Sequence, residues 1–333
     1  MSRTNLQLFL FLSNACNLRC KGCPVAKENI KSLTLKDIET IATTWDFDRV
    51  GILGGEPLLI KNLDKIVEML NKPVTIYTNG TLLTEDKIIE NVIYAVSLES
   101  LNEKVNDSIR GKGVYKKVMN ALDILMKNRD RIKEIIIRAT YNSRNYKDMF
   151  ELIEFCEQND IGLAMHPRIG IEIYRGKPIP SLDVRQQLEL FTEVAKRSKM
   201  VVLTPHFFQW VGRKNYRCPA GEFRLAVAEN GNVKPCQWGE YVVGNVRTHD
   251  FDLIRELGIE YNRNFVQNRF PSRCLYCDRL AKCHGGCKLI NDTAHCPLRP
   301  EYGYGIGRFL SGKEINNLRV SIKRLGSIGF SGC

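Results

Sequence analysis

Short apolar runs alternate with amphipathic stretches from residue 6 to about residue 167. The runs have the length and composition of buried β-strands, and most stretches between them have the spacing of helices with one buried face. The strand–helix pairs are LQLFLFL with TLKDIETIATTW, VGILGG with LIKNLDKIVEML, VTIYTNG with TEDKIIENV, YAVSLES with YKKVMNALDILMKN, and EIIIRATYN with DMFELIEFCEQN, and GLAMHPRIG closes the series. This alternation predicts an α/β fold whose parallel sheet is covered by helices.

The pattern changes after about residue 180. A helical stretch, DVRQQLELFTEVAKRSKM, leads to VVLTPH, and the following residues are rich in glycine, proline and cysteine with little helical periodicity. We therefore predict two domains, a larger one over residues 1–205 and a small cysteine-rich one over residues 206–333.

Hydropathy and charge limit the class of protein. The longest apolar run, LQLFLFL, is too short to cross a bilayer and lacks the flanks of a secretory signal, which predicts a soluble cytoplasmic protein without a membrane partner. The net charge of +12 comes from basic residues spread along the chain. We interpret them as a solvated surface; the alternative is a surface that attracts an acidic peptide, a phosphate or a nucleic acid. No aromatic signature of RNA binding accompanies them, so nucleic acid is not an expected partner.

Twelve cysteines are many for a chain without a secretion signal, and they favour metal binding over disulfides. Three lie near the start and seven lie between residues 218 and 296, while Cys156 and Cys333 stand apart. Cys156 sits in a helical pattern and is predicted to be a packed small residue.

The first group, Cys16, Cys20 and Cys23, follows the first predicted strand as C-x3-C-x2-C. Three thiolates suit an iron–sulfur cluster with one open iron; a structural metal site completed by a distant cysteine is the alternative. GGEP, TNG and SLES also follow predicted strands, where parallel α/β folds place their chemistry.

With GGEPLL at residues 54–59, the sequence resembles the radical S-adenosylmethionine (radical SAM) superfamily over roughly residues 5–200. The resemblance implies a partial (β/α)6 TIM-like barrel and a [4Fe–4S] cluster held by the three cysteines. It also implies that S-adenosylmethionine occupies the open iron and is cleaved to methionine and a 5′-deoxyadenosyl radical, which abstracts a substrate hydrogen atom.

The resemblance further implies contacts to S-adenosylmethionine. The candidate residues are Gly54, Gly55, Glu56, Pro57, Thr78, Ser97, Arg110 and Arg138. Glu56 would accept the methionine amino group, Thr78 and Ser97 would face the ribose or the carboxylate, and the arginines are candidates for the carboxylate. The alternatives are an ion pair for either arginine and turn chemistry for the Thr78–Asn79 pair. One departure from the family is Gly22, where an aromatic residue usually meets the adenine.

The seven downstream cysteines are spaced C-x12-G-x4-C, then C-x2-C-x5-C-x3-C, then C. Taken alone, the middle four could form a zinc ribbon. Behind this barrel, and with AVAENGNVKPC as a hairpin, the run resembles the SPASM extension of radical SAM enzymes. That resemblance implies two auxiliary [4Fe–4S] clusters, one held by Cys274, Cys277, Cys283 and Cys296 and the other by Cys218, Cys236 and Cys287.

The second auxiliary cluster would have an open iron for a substrate thiolate, a water or another residue of this chain. Cys333 is one such residue, and its alternative is an incidental thiol in a disordered end. His206, His284 and His295 are expected to donate hydrogen bonds to the ligands rather than to ligate.

The resemblance implies a radical SAM oxidoreductase that oxidises or crosslinks a peptide or protein, with a ferredoxin or flavodoxin as electron donor. Because the barrel begins near residue 1, a separate leader-binding protein or a leaderless substrate is expected. The alternative is a dehydrogenase, epimerase or decarboxylase of a small molecule or tetrapyrrole. A third hypothesis is a non-catalytic iron–sulfur or zinc protein, against which GGEP argues. No catalytic general base is assigned.

Overall fold

The fold was analysed in a computed structural model of the 333-residue chain. It describes residues 5–23, 25, 29–167, 186, 189–190, 201–203, 218–266, 268, 272–276 and 280. The strands are β1 (Gln7–Ser13), β2 (Arg49–Gly54), β3 (Val74–Thr78), β4 (Ile93–Ser97), β5 (Glu134–Tyr141), β6 (Gly162–Pro167), β7 (Val201–Leu203), β8 (Arg224–Val227), β9 (Asn232–Lys234) and β10 (Gly244–Asn245). The helices are α1 (Leu35–Thr44), α2 (Leu63–Leu70), α3 (Glu103–Arg110), α4 (Val114–Lys127), α5 (Asp148–Gln158) and α6 (Phe251–Tyr261).

The described residues fall into two compact units. The first unit comprises Met1–Ser97, Lys116–Ile135 and Pro219–Asn268. Its strands have the order β10-β9-β8-β1-β2-β3-β4. Strands β8, β1, β2, β3 and β4 run parallel to one another, and β9 pairs antiparallel with both β8 and β10. The predicted parallel α/β fold is confirmed in this unit.

Strand β1 lies at the centre of this sheet and is buried on both faces. Leu8 and Leu10 point to one face and are 0% exposed, while Phe9, on the opposite face, is 2% exposed. A strand covered on both faces is a continuous apolar run rather than an alternating one, which explains the sequence LQLFLFL. On α1, Ile38 and Ile41 form the buried side of the helix.

The C-terminal part of the first unit contains the predicted hairpin. Strands β8 and β9 pair antiparallel, and Gly231, at φ +86°, occupies the turn between them. This conformation favours glycine because it lacks a Cβ atom. Strand β8 also pairs parallel with β1, from Gln7 opposite Arg224 to Leu10 opposite Val227, so the hairpin extends the same sheet. The predicted domain boundary at residue 205 lies outside the described residues and stays a prediction.

The second unit comprises Leu98–Tyr115, Ile136–Cys218 and Arg269–Cys333, and β5, β6 and β7 run parallel within it. Helix α5 carries Cys156, which is 0% exposed as a packed small residue, and burial raises the pKa of its thiol. No described helix is both long and apolar enough to cross a membrane.

One predicted helix is wrong. The stretch TEDKIIENV forms only a 3-10 turn over Glu85–Lys87, and the backbone N–H of Ile89 donates to the Tyr94 hydroxyl at 2.7 Å. Asn91 then adopts a left-handed conformation at φ +58°. A tertiary hydrogen bond thus replaces the helical one. Helix α3, capped by the Asn102 side chain, was not predicted.

Candidate radical SAM site

The loop that carries the three cysteines is fastened at its base. Ser13, at the end of β1, donates from its hydroxyl to the Lys31 carbonyl at 3.0 Å, and the Lys31 N–H donates to the Asn14 side chain at 2.8 Å. The Asn14 N–H also donates to the Lys31 carbonyl, and the Leu33 N–H donates to the Leu12 carbonyl. Residues on both sides of the loop are therefore held together, and the cysteines project from a fixed base.

Cys16, Cys20 and Cys23 are half-buried, and none forms a disulfide. The Leu18 N–H donates to the Cys16 sulfur at 3.4 Å. The Cys23 N–H donates to the Cys20 carbonyl at 3.3 Å and so forms a turn over residues 20–23. Gly22 lies in this turn at φ +68°, a conformation that the aromatic residue usual in the family would adopt only with strain.

The donor set fits an iron–sulfur cluster. Three half-buried thiols share one loop, and a backbone N–H is directed at a sulfur atom, a contact that adjusts the reduction potential of cluster thiolates. Among the described residues, no three His, Cys, Asp or Glu side chains are already gathered as a metal site. The evidence for a cluster is therefore the number and type of donors on this loop.

The two glycines of GGEP let the chain after β2 approach the backbone before Cys16. The Gly55 N–H donates to the Ser13 carbonyl at 2.7 Å, and the Glu56 N–H donates to the Ala15 carbonyl at 2.8 Å. A Cβ atom on Gly54 would lie 2.3 Å from the Ser13 carbonyl oxygen, and one on Gly55 would lie 1.8 Å from that of Ala15. Both positions therefore exclude any side chain, and GGEP is bound directly to the start of the cysteine loop.

The Glu56 carboxylate joins the ends of β2 and β3. Its Oε1 accepts hydrogen bonds from the Leu58 N–H at 3.1 Å and from the Thr78 hydroxyl at 2.6 Å. Its Oε2 accepts from the Asn79 N–H at 2.7 Å. Glu56 is 2% exposed, and Pro57 follows it as the first residue of a short 3-10 helix. Glu56 thus has a structural function in addition to the contact with the methionine amino group that the family resemblance implies.

Asn79 continues this network to the cysteine loop. Its side-chain nitrogen donates to Asn17 Oδ1 at 2.9 Å and lies 3.9 Å from the Cys16 sulfur. Its side-chain oxygen accepts from the Thr81 N–H and hydroxyl at 2.9 and 2.7 Å. The predicted turn chemistry is present, because Gly80 follows at φ +74°. The side-chain link to Asn17 and Cys16 was missed by sequence reasoning.

Ser97 is the last residue of β4 and is half-buried, so it lies at the same end of the parallel strands as the cysteine loop, GGEP and TNG. The positions predicted from the sequence after β1 to β4 therefore share one edge of the sheet in the first unit. This is the edge at which parallel α/β folds place their ligands.

In the second unit, the Arg110 guanidinium forms an ion pair with Glu99 at 3.7 Å. Both side chains are about one-tenth exposed, and Glu99 Oε2 also accepts from the Thr140 N–H at 2.7 Å. The ion pair expected as the alternative for Arg110 is thus present. Arg138 lies in β5, half-buried, and its carbonyl accepts from the Leu98 N–H. Sequence reasoning missed Glu99, although SLES was singled out as a strand-end loop.

The described C-terminal cysteines are Cys218, Cys236 and Cys274, all half-buried and none in a disulfide. Cys236 follows strand β9 and Cys274 lies in a 3-10 helix over Ser272–Tyr276. The remaining members of this predicted set, together with Cys333 and the three histidines, lie outside the described residues. They are Cys277, Cys283, Cys287, Cys296, Cys333, His206, His284 and His295.

Comparison with known proteins agrees with this site. Residues 10–156 match the profile of the Radical SAM superfamily. A curated relative, the AdoMet-dependent heme synthase of Methanosarcina barkeri, is 23% identical, and the alignment covers 87% of this chain and 95% of that protein.

Two solved structures have a similar fold. Streptococcus suis SuiB bound to precursor peptide SuiA has a TM-score of 0.68 at 21% identity, covering 87% of this chain and 75% of SuiB. anSMEcpe with bound AdoMet and Cp18Cys peptide has a TM-score of 0.67 at 17% identity, covering 97% of this chain and 98% of anSMEcpe. These similarities confirm the predicted fold class, a partial barrel of parallel strands followed by a cysteine-bearing hairpin region.

A parallel sheet with a three-cysteine loop after β1 and a GGEP segment hydrogen-bonded to that loop defines a radical enzyme dependent on S-adenosylmethionine. The part of the chain that carries this arrangement, residues 10–156, matches the Radical SAM superfamily. This match supports S-adenosylmethionine and one [4Fe–4S] cluster as cofactors, and it argues against the hypothesis of a non-catalytic protein.

Proposed function

We propose that the protein is a radical SAM oxidoreductase that oxidises or crosslinks a peptide or protein substrate. The observation that carries this proposal is the similarity of fold to two enzymes crystallised with peptides, SuiB with SuiA and anSMEcpe with Cp18Cys, over 87% and 97% of this chain. Cys218, Cys236 and Cys274 support it, because half-buried thiols outside disulfides suit further iron–sulfur clusters.

In this proposal, Cys16, Cys20 and Cys23 hold the first [4Fe–4S] cluster. When bound, the cluster and S-adenosylmethionine supply one-electron cleavage of a carbon–sulfur bond and the resulting 5′-deoxyadenosyl radical. The chain's own groups would orient the cofactor. The GGEP segment and its Glu56 would contact the methionine amino group, and Thr78 and Ser97 would face the ribose or the carboxylate. The guanidinium groups of Arg110 and Arg138 would bind the carboxylate. The hydrogen bonds that Glu56 accepts from Thr78 and Asn79 support this assignment, because they fix the orientation of its carboxylate.

Two auxiliary [4Fe–4S] clusters are proposed for the C-terminal cysteines. Their function would be to accept the electron that a substrate radical gives up on oxidation. The proposed ligand sets are Cys274, Cys277, Cys283 and Cys296 for one cluster, and Cys218, Cys236 and Cys287 for the other. An open iron in the second cluster would favour crosslinking through a substrate thiolate. An electron donor of the ferredoxin or flavodoxin class completes the proposal.

A second candidate function is chemistry on a tetrapyrrole. It is favoured by the alignment with the heme synthase, which spans 95% of that relative's length. In that case a tetrapyrrole, rather than a peptide, would be the hydrogen donor.

One experiment separates the two. The anaerobic, iron-loaded enzyme is incubated with S-adenosylmethionine and dithionite together with Cp18Cys, SuiA or a set of tetrapyrroles. 5′-Deoxyadenosine and substrate mass are then measured. Peptide-dependent 5′-deoxyadenosine with a loss of about two mass units from the peptide supports the proposal. A change confined to the tetrapyrrole would replace it with the second candidate.

A further inference from the structure

The Asn79 side chain is held in one orientation by a closed ring of hydrogen bonds. Asn79 donates to Asn17 Oδ1 at 2.9 Å, Asn17 donates to Thr81 Oγ1 at 2.8 Å, and the Thr81 hydroxyl donates to Asn79 Oδ1 at 2.7 Å. Asn79 is 8% exposed, and its Oδ1 also accepts the Thr81 N–H. Rotating the amide by half a turn would place its NH2 group against the Thr81 N–H donor and its oxygen against Asn17 Oδ1. The ring therefore fixes which end of the amide faces the cysteine loop.

The end that faces the loop is the donor. The Asn79 side-chain nitrogen lies 3.9 Å from the Cys16 sulfur, within the range of an N–H···S hydrogen bond, and the Leu18 N–H approaches the same sulfur at 3.4 Å. An amide NH2 group carries two hydrogens, so one can bond Asn17 while the other is directed at Cys16. Cys16 is therefore approached by one backbone donor and one side-chain donor.

Hydrogen bonds to cysteine sulfur tune an iron–sulfur cluster. A donor draws electron density from the thiolate and stabilises the reduced, more negative form, which raises the reduction potential. Asn79 is also tied to Glu56, because its backbone N–H donates to the carboxylate at 2.7 Å. The same residue thus connects GGEP to the first cysteine.

We propose that Asn79 is a positioning residue that donates a hydrogen bond to the Cys16 sulfur and raises the reduction potential of the cluster held by Cys16, Cys20 and Cys23. The inference rests on the cluster assignment in the proposed function. It concerns the potential alone, so it does not depend on which substrate the enzyme uses.

The test is a redox titration of the anaerobically reconstituted full-length enzyme followed by electron paramagnetic resonance. The signal of the first cluster is identified as the one that changes when S-adenosylmethionine is added. Wild type is compared with Asn79→Ala and Asn79→Asp. Both variants lose the side-chain N–H donor, and the second keeps an oxygen for Thr81. Asn264→Ala is the control, because Asn264 is an exposed asparagine whose side chain bonds Glu260.

We expect unchanged iron content and a more negative midpoint potential in both Asn79 variants, with the larger shift in Asn79→Asp because it adds a negative charge. Asn264→Ala should keep the wild-type potential. A first-cluster signal with unchanged potential in both Asn79 variants would overturn the inference and leave the proposed function standing. The absence of any signal responsive to S-adenosylmethionine in wild type would instead overturn the proposed function. If Asn79→Ala incorporates too little iron for a titration, the midpoint potential of the isosteric Asn79→Asp variant tests the inference.

Discussion

The Arg247 guanidinium donates two hydrogen bonds, at 3.0 and 2.8 Å, to the carboxylate of Asp37, which lies 210 residues earlier in the chain. Asp37 also completes a capping box with Thr34 at the start of α1. The hydrogen bonds from Arg247, more than those from Thr34, lower the pKa of Asp37 to about 2, although its burial acts in the opposite direction. The segment after β10 is thereby attached to α1 within the first unit.

This pair predicts a pH-dependent contribution to stability. Because the folded-state pKa of Asp37 is depressed, the contribution is present above its unfolded pKa near 4 and is lost as the pH falls towards 2. Arg247→Ala should lower the free energy of unfolding at pH 7 by about 1–2 kcal/mol, a figure reduced for the partial exposure of Arg247. Thermal melts at pH 7 and pH 3 should show a smaller deficit at pH 3. The exposed Arg263→Ala is the control, and an equal deficit at both pH values would contradict the assignment.

Gly55 gives a steric prediction. Gly55→Ala places a Cβ atom 1.8 Å from the Ala15 carbonyl oxygen, so the backbone before Cys16 must move. We expect loss of most of the iron of the first cluster and of its electron paramagnetic resonance signal. Gly113→Ala is a matched control: Gly113 has a positive φ of +75° but no atom within 4 Å of an added Cβ. Gly113→Ala should lower the free energy of unfolding by only roughly 1–2 kcal/mol, through backbone strain, and should bind iron normally. Normal iron content of the first cluster in Gly55→Ala would refute the steric argument.

The Glu56 carboxylate is predicted to stabilise the ends of β2 and β3 before any cofactor binds. Glu56→Gln replaces one acceptor oxygen by a donor and should cost about 1–3 kcal/mol, while Thr78→Val removes one donor and should cost less. The double variant should be less destabilised than the sum, because the two residues share a hydrogen bond. The free energies of unfolding of wild type, the two single variants and the double variant measure this coupling. Strict additivity would mean that the bond contributes nothing.

The ion pair between Glu99 and Arg110 predicts a cofactor effect. Arg110→Met should weaken S-adenosylmethionine binding about tenfold if this cation meets the carboxylate, since tenfold corresponds to about 1.4 kcal/mol. Glu99→Gln should weaken it less, because Glu99 holds Arg110 rather than touching the ligand. The dissociation constant of S-adenosylmethionine, measured by equilibrium binding to the iron-loaded enzyme and its two variants, tests this prediction. Unchanged affinity with a lowered melting temperature would make the pair purely structural.

Much of this site could be predicted from the sequence because it depends on local patterns. The apolar run of β1, the cysteine spacing after it and the paired glycines of GGEP are each visible in a few consecutive residues. The bond between Asn79 and Asn17 was not predictable, because it joins residues 62 positions apart and depends on the alignment of β1, β2 and β3. The 3-10 turn at Glu85–Lys87 was missed for the same reason: the Tyr94 hydroxyl that captures the Ile89 N–H belongs to the next strand.

The central claim is that Cys16, Cys20 and Cys23 hold the cluster that cleaves S-adenosylmethionine. Its most direct test measures iron, acid-labile sulfide and 5′-deoxyadenosine in the anaerobic wild-type enzyme and in the triple Cys→Ala variant at these positions. We predict about twelve irons per chain falling to about eight in the variant, with 5′-deoxyadenosine formation abolished. Continued cleavage of S-adenosylmethionine by the variant would contradict the claim.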